Sequence, residues 1–124
     1  MRHFNAYLHP FFVEININGD IRDAASLTVP ADRVFRGAWQ FNGAAVEIDM
    51  AAARDIHRDN LRAERGPLLD ALDVDYMKAL EQGGDTAAIA AQKQVLRDVT
   101  ADARIDAAAT PDELKALTLD VLTA

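Results

Sequence analysis

The sequence has no cysteine, which excludes a disulfide framework, a thiolate nucleophile and a cysteine-ligated zinc site. It has no apolar run near the roughly 18 residues needed to span a bilayer. The opening Met1-Arg2-His3-Phe4-Asn5-Ala6-Tyr7 also lacks the unbroken apolar stretch of a secretory signal. Neither Gly-x-Gly-x-x-Gly nor a phosphate-loop lysine motif occurs. Serine is nearly absent: Ser26 is the only one, and no histidine stands near it or any threonine at a recognisable motif spacing. Basic residues are in the minority, 13 against 20 acidic, for a formal net charge of −7. That average field repels a phosphate backbone, so neither nucleic acid nor a membrane is an expected partner.

What is present has the length of one domain, 124 residues, half of them apolar. Its character changes near Asp49. Every aromatic residue except Tyr76 lies upstream, with both Asn-Gly pairs. Residues 1–49 carry four basic and six acidic side chains, whereas 50–124 carry nine and fourteen. We therefore read a β-hairpin-rich part over 1–49 and a helical part over 50–124, either separate or integrated into one domain. The expected class is α+β, with three or four antiparallel strands followed by three or four helices.

In the first part Phe11, Val13, Ile15 and Ile17 alternate with polar or outward positions, the period of a half-buried strand. Asn18-Gly19 follows, and a two-residue turn there opposes Ile15 to Arg22. The same turn at Asn42-Gly43 would pair Trp39 with Val46 and Gly37 with Ile48. Phe35, Gly37, Trp39, Phe41, Ala44, Val46 and Ile48 then share one face, away from Gln40 and Glu47. Leu27 and Val29, stopped by Pro30, suggest one more short strand.

In the second part Asp49 is a candidate N-cap, and Met50, Ala53, His57, Leu61 and Glu64 trace one helical face. Gly66-Pro67 should end or kink this helix. A second apolar period runs from Leu68 to Leu80 and stops at Gly83-Gly84. A third helix, capped by Asp85 or Thr86, carries Ile89, Leu96 and Val99. Residues 100–109 read as a loop. Thr110-Pro111-Asp112-Glu113 has the spacing of a capping box and opens a closing helix with Leu114, Leu117 and Val121 on one face.

Few residues point to chemistry. His3, His9 and His57 lack the helical two-ligand spacing of a metal site, since Leu61 stands four positions after His57. Asp70, Asp73 and Asp75 sit where carboxylates cap or solubilise helices. No catalytic residue, metal site or cofactor is therefore expected. Arg54, Arg58, Arg62 and Arg65 recur at steps of four, four and three, one basic helical face. It is either a solvated face paired with neighbouring aspartates or a docking face whose guanidinium forks grip a partner's carboxylates or carbonyls.

Two segments carry a family resemblance. Arg65-Gly66-Pro67-Leu68-Leu69-Asp70-Ala71-Leu72-Asp73 reads Arg-x-x-Leu-Leu-x-x-x-Asp, and Lys93-Gln94-Val95-Leu96-Arg97-Asp98-Val99 reads basic-x-x-Leu-Arg-Asp-Val. With Val29 to Trp39, Asp49-Met50 and Ala53 to Arg58, they resemble bacteriophage tail assembly chaperones and tail-fibre-associated small proteins, over residues 29–117. Gly66 and the Gly83-Gly84 pair depart from that pattern. The resemblance implies a non-enzymatic phage or prophage tail accessory protein that binds a tail-fibre, tail-tip or other tail protein in the host cytoplasm during assembly. It would act singly or as an oligomer within the assembly. The alternatives are a permanent virion component at the tail tip, fibre root or capsid, and an acidic inhibitor. Partner contacts would fall on the arginine face and on Leu96, Arg97 and Asp98.

Overall fold

The computed structural model describes residues 14–43 and 45–124. The expected strand residues Phe11 and Val13, the histidines His3 and His9, and Ala44 lie outside the described residues. The chain divides into two compact units, 1–49 and 50–124, and its class is α+β.

The first unit contains two hairpins. Strands β1 (Glu14–Ile17) and β2 (Asp20–Asp23) pair antiparallel with Ile15 opposite Arg22, the register a two-residue turn at Asn18-Gly19 dictates. Asn18 and Gly19 have φ of 52° and 89°, the left-handed pair such a turn needs. Ile15 is buried. Arg22 opposite it lies over the Phe41 ring, 4.1 Å from the centroid, and donates to the Gly43 carbonyl at 3.0 Å. A charged residue is thus accommodated on an apolar face by an aromatic ring and a carbonyl.

Strands β3 (Trp39–Asn42) and β4 (Ala45–Ile48) form the second hairpin. Its register differs from the expected one. Trp39 opposes Ile48 and Phe41 opposes Val46, with Asn42 opposite Ala45. Asn42 is therefore the last strand residue, and Gly43, at φ +59°, opens the turn. The slip moves each partner by two positions, and two is the side-chain period of a strand. Faces survive such a slip although partners change. Ile15, Trp39 and Val46 accordingly form the core, with Ile17, Leu27, Val29, Phe41 and Ile48 against it. The segment expected as a strand at Leu27–Val29 supplies a single parallel bridge. The Val46 amide donates to the Thr28 carbonyl at 2.7 Å.

The second unit is helical: α1 (Met50–Glu81), α2 (Ala87–Asp98), α3 (Ala103–Ala107), α4 (Pro111–Lys115) and α5 (Leu119–Thr123). The expected break at Gly66-Pro67 does not occur, and α1 runs through both residues. Proline removes one donor, leaving the Ala63 carbonyl without its helical partner. Ala63 and Pro67 are both exposed, so that carbonyl faces water. The helix ends instead at Gly83, φ +68°, where the Gly84 and Gly83 amides bond the Ala79 and Leu80 carbonyls. That is the paired closure of a Schellman end.

Residues 100–109 are not a plain loop. After a 3-10 turn at Val99–Ala101, Asp102 caps α3 by accepting from the Arg104 amide at 2.9 Å, and Ile105 is fully buried. The capping box at Thr110 and Glu113 forms. The closing helix, however, is two short ones. Thr118 caps α5 through the Val121 amide, and the Leu117 carbonyl is taken by His57. Leu119 and Leu122, rather than Val121, face inward.

Candidate interaction site

The N-terminal half of α1 is the axis of the helical unit. Ala53, His57 and Leu61 recur at four-residue steps and are buried, the face the apolar periodicity marks. His57 donates from Nε2 to the Leu117 carbonyl at 2.8 Å. The arginine stripe runs alongside this face and is largely committed within the chain. Arg54 donates to the Ala108 carbonyl at 2.8 Å. Arg58 donates from Nε to the Thr100 carbonyl at 3.0 Å and from Nη2 to Asp106 at 2.6 Å. Arg65 donates from Nη1 to the Arg97 carbonyl at 2.8 Å and the Leu96 carbonyl at 3.2 Å.

These acceptors have a common origin. Apart from the Asp106 carboxylate, they are carbonyls at the C-terminal ends of α2, of the turn after it and of α3, where helical amide partners run out. Cationic forks are favoured there by the local dipole as well. Arg62 differs from the rest of the stripe: among the described residues it reaches no backbone carbonyl and bonds only the exposed Asp59, three residues before it. Arg97 is exposed, and Asp98 accepts from Gln94 at 2.8 Å.

The two segments with the family-like pattern are thereby brought together. Arg65 opens the first and grips the second at Leu96 and Arg97. Asp73 closes the first and pairs with Lys93, which opens the second. Lys93 also lies over the Tyr76 ring, 5.3 Å from the centroid. The spacing of charged residues in both segments thus serves to clamp α1 against α2.

Between these clamps lies a groove of about 400 Å³. Leu68, Ala71 and Leu72 of α1 form one wall, and Val95 and Leu96 of α2 the other. Gln92 and Thr123 complete the lining. Leu96 is the residue of the expected contact set that falls in it; Arg54, Arg58 and Arg65 are turned to the chain's own carbonyls. Leu68 and Val95 belong to the two resembling segments but not to the expected contacts, and they are 47% and 44% exposed. The available signal was an excess of apolar residues: α1 and α2 carry more than one packing stripe requires, and Val74, Met77 and Leu80 are also about half exposed.

The remaining features are structural. Asp102 has its carboxyl held below the usual aspartate range, first by the Arg104 side-chain bond and then by the Arg104 amide. Among the described residues no group of three His, Asp or Glu side chains could hold a metal ion, and no helix is long and apolar enough to cross a membrane. The chain matches no family model, no curated protein and no solved structure.

Proposed function

We propose that this protein is a non-enzymatic accessory protein of phage or prophage tail assembly, and that it holds a tail-fibre, tail-tip or other tail protein in the groove between α1 and α2. The observation that carries the reading is the groove itself. Its walls are apolar, two of its leucine and valine side chains are about half exposed, and helical surfaces of this kind take amphipathic segments of partners. The resemblance to tail assembly chaperones supports the same surface, because both resembling segments are the groove's walls. Arg65, Asp73 and Lys93 give those segments a physical role in fixing the wall spacing, leaving Leu68, Ala71, Val95 and Leu96 to meet the partner.

Tagged protein recovered from cells producing the particles should carry a tail component, and Leu68→Asp should release it. Mass spectrometry of purified particles then separates two roles. Absence from particles fits a chaperone, whereas a fixed copy number there fits a permanent virion component. A protein that carries no tail component and is absent from particles would refute the reading.

A further inference from the structure

Asn18-Gly19 and Asn42-Gly43 are the same dipeptide, and both are exposed. Asparagine before glycine carries a latent reaction, because no Cβ crowds the glycine nitrogen. That nitrogen attacks the asparagine Cγ and the Cγ–Nδ2 bond breaks. The side-chain nitrogen leaves as ammonia, taking the proton the glycine nitrogen gave up. Water then opens the cyclic imide at either carbonyl, leaving aspartate or its isomer with the backbone routed through the side chain. How fast each dipeptide reacts in the folded chain depends on what the fold does to its glycine nitrogen.

At Asn18-Gly19 that nitrogen is occupied. The Gly19 amide donates to Asn16 Oδ1 at 2.9 Å, and the turn holds both residues at positive φ between the paired Ile17 and Asp20. Attack requires this bond to break and the turn to open. The Gly43 amide, by contrast, donates to no acceptor among the described residues. Asn42 is restrained at its side chain instead, where Nδ2 donates to the Glu47 carboxylate. Asn42 and Glu47 are both exposed, and a bond between exposed side chains exchanges with water at little cost.

We propose that Asn42 is a site of spontaneous deamidation and isoaspartate formation, and that the fold protects the identical dipeptide at Asn18. The reading is independent of the groove. The isomer adds one carbon to the backbone where Asn42 opposes Ala45, next to the Gly43 carbonyl that receives Arg22. The product therefore loosens the end of the β3–β4 ladder.

The test incubates the full chain in mildly alkaline buffer, natively and in concentrated urea. Mass spectrometry of its peptides follows the amide-to-acid mass gain and isoaspartate at each asparagine. In urea the two sites should convert at rates within about twofold, whereas natively Asn42 should convert about tenfold faster than Asn18. Asn16→Ala removes the acceptor from the Gly19 amide and should raise the native Asn18 rate several-fold, with Asn42 in the same molecule unchanged. Glu47→Ala should quicken Asn42 and leave Asn18 as it was. Equal native rates, a faster Asn18, or a native ratio no larger than the ratio in urea would overturn the assignment. So would a native Asn42 that stays intact while the same residue converts in urea.

Discussion

At the residue scale, the informative side chains are those that grip carbonyls. Arg58 reaches Thr100 and Asp106 with different nitrogens of one fork, and its side chain is only 19% exposed. Lysine preserves the charge but satisfies one acceptor at a time. Arg58→Lys should therefore destabilise the chain by about 1–2 kcal/mol in urea denaturation. Arg62→Lys, which disturbs only the exposed pair with Asp59, should cost less than about 0.5 kcal/mol. Equal effects would mean that the Arg58 fork is not formed in solution. Asp102 offers a second test. Its folded carboxyl titrates below the ordinary aspartate value of about 3.9 because Arg104 donates to it from side chain and backbone. A depressed value contributes stability above the unfolded value and loses it as pH falls through the folded one. The Asp102 carboxyl resonance should thus titrate below the ordinary aspartate value, and Arg104→Ala should raise its midpoint. An unmoved midpoint would show that the cap is held by the backbone alone.

At the element scale, end signals were legible and interruptions were not. The capping box at Thr110, the Gly83 stop and the Asn18-Gly19 turn each act through bonds between near neighbours, so the sequence displays the whole cause. Pro67 misleads because its cost is local while what sustains α1 is not: Arg65 before the proline and Asp73 after it both bind α2. The β3–β4 register misleads for a different reason. Registers that set Trp39 opposite Val46 or opposite Ile48 preserve the same apolar face, so alternation cannot choose between them. The candidate site was legible only in part. Leu96 and the arginine stripe stood out, but which carbonyls the forks would reach depends on contacts more than thirty residues apart in sequence. Gly66 gives the element-scale prediction. It has no positive φ, and a Cβ there would meet nothing within 4 Å. Gly66→Ala should stabilise α1 by about 0.5–1 kcal/mol through lost unfolded-state freedom, raising the thermal midpoint of the far-ultraviolet signal. A lowered midpoint would mean that glycine relieves strain from the proline beside it.

At the scale of the whole molecule, the two units differ in what holds them. The helical unit is tied by bonds that begin and end within 50–124: Arg54 to Ala108, His57 to Leu117, Arg58 to Thr100, Arg65 to Arg97 and Lys93 to Asp73. Its buried Leu61, Ile105 and Leu114 come from three different helices. Among its described residues the first unit has two ladders of four-residue strands and a cluster of three buried residues, Ile15, Trp39 and Val46, with Phe35 and Ala38 also buried. Isolated two-stranded hairpins are marginal in water, and joining two of them around so small a core adds little. A fragment of residues 50–124 should therefore unfold cooperatively by far-ultraviolet dichroism, whereas a fragment ending at Asp49 should not hold its structure alone. Trp39, the single tryptophan and 5% exposed in the full chain, reports the latter directly. Its emission in the short fragment should lie at the red wavelength of a hydrated indole. Blue-shifted emission with a cooperative transition would show that the hairpins are self-sufficient. A 50–124 fragment without a transition would show that these bonds are too few to hold the helices together.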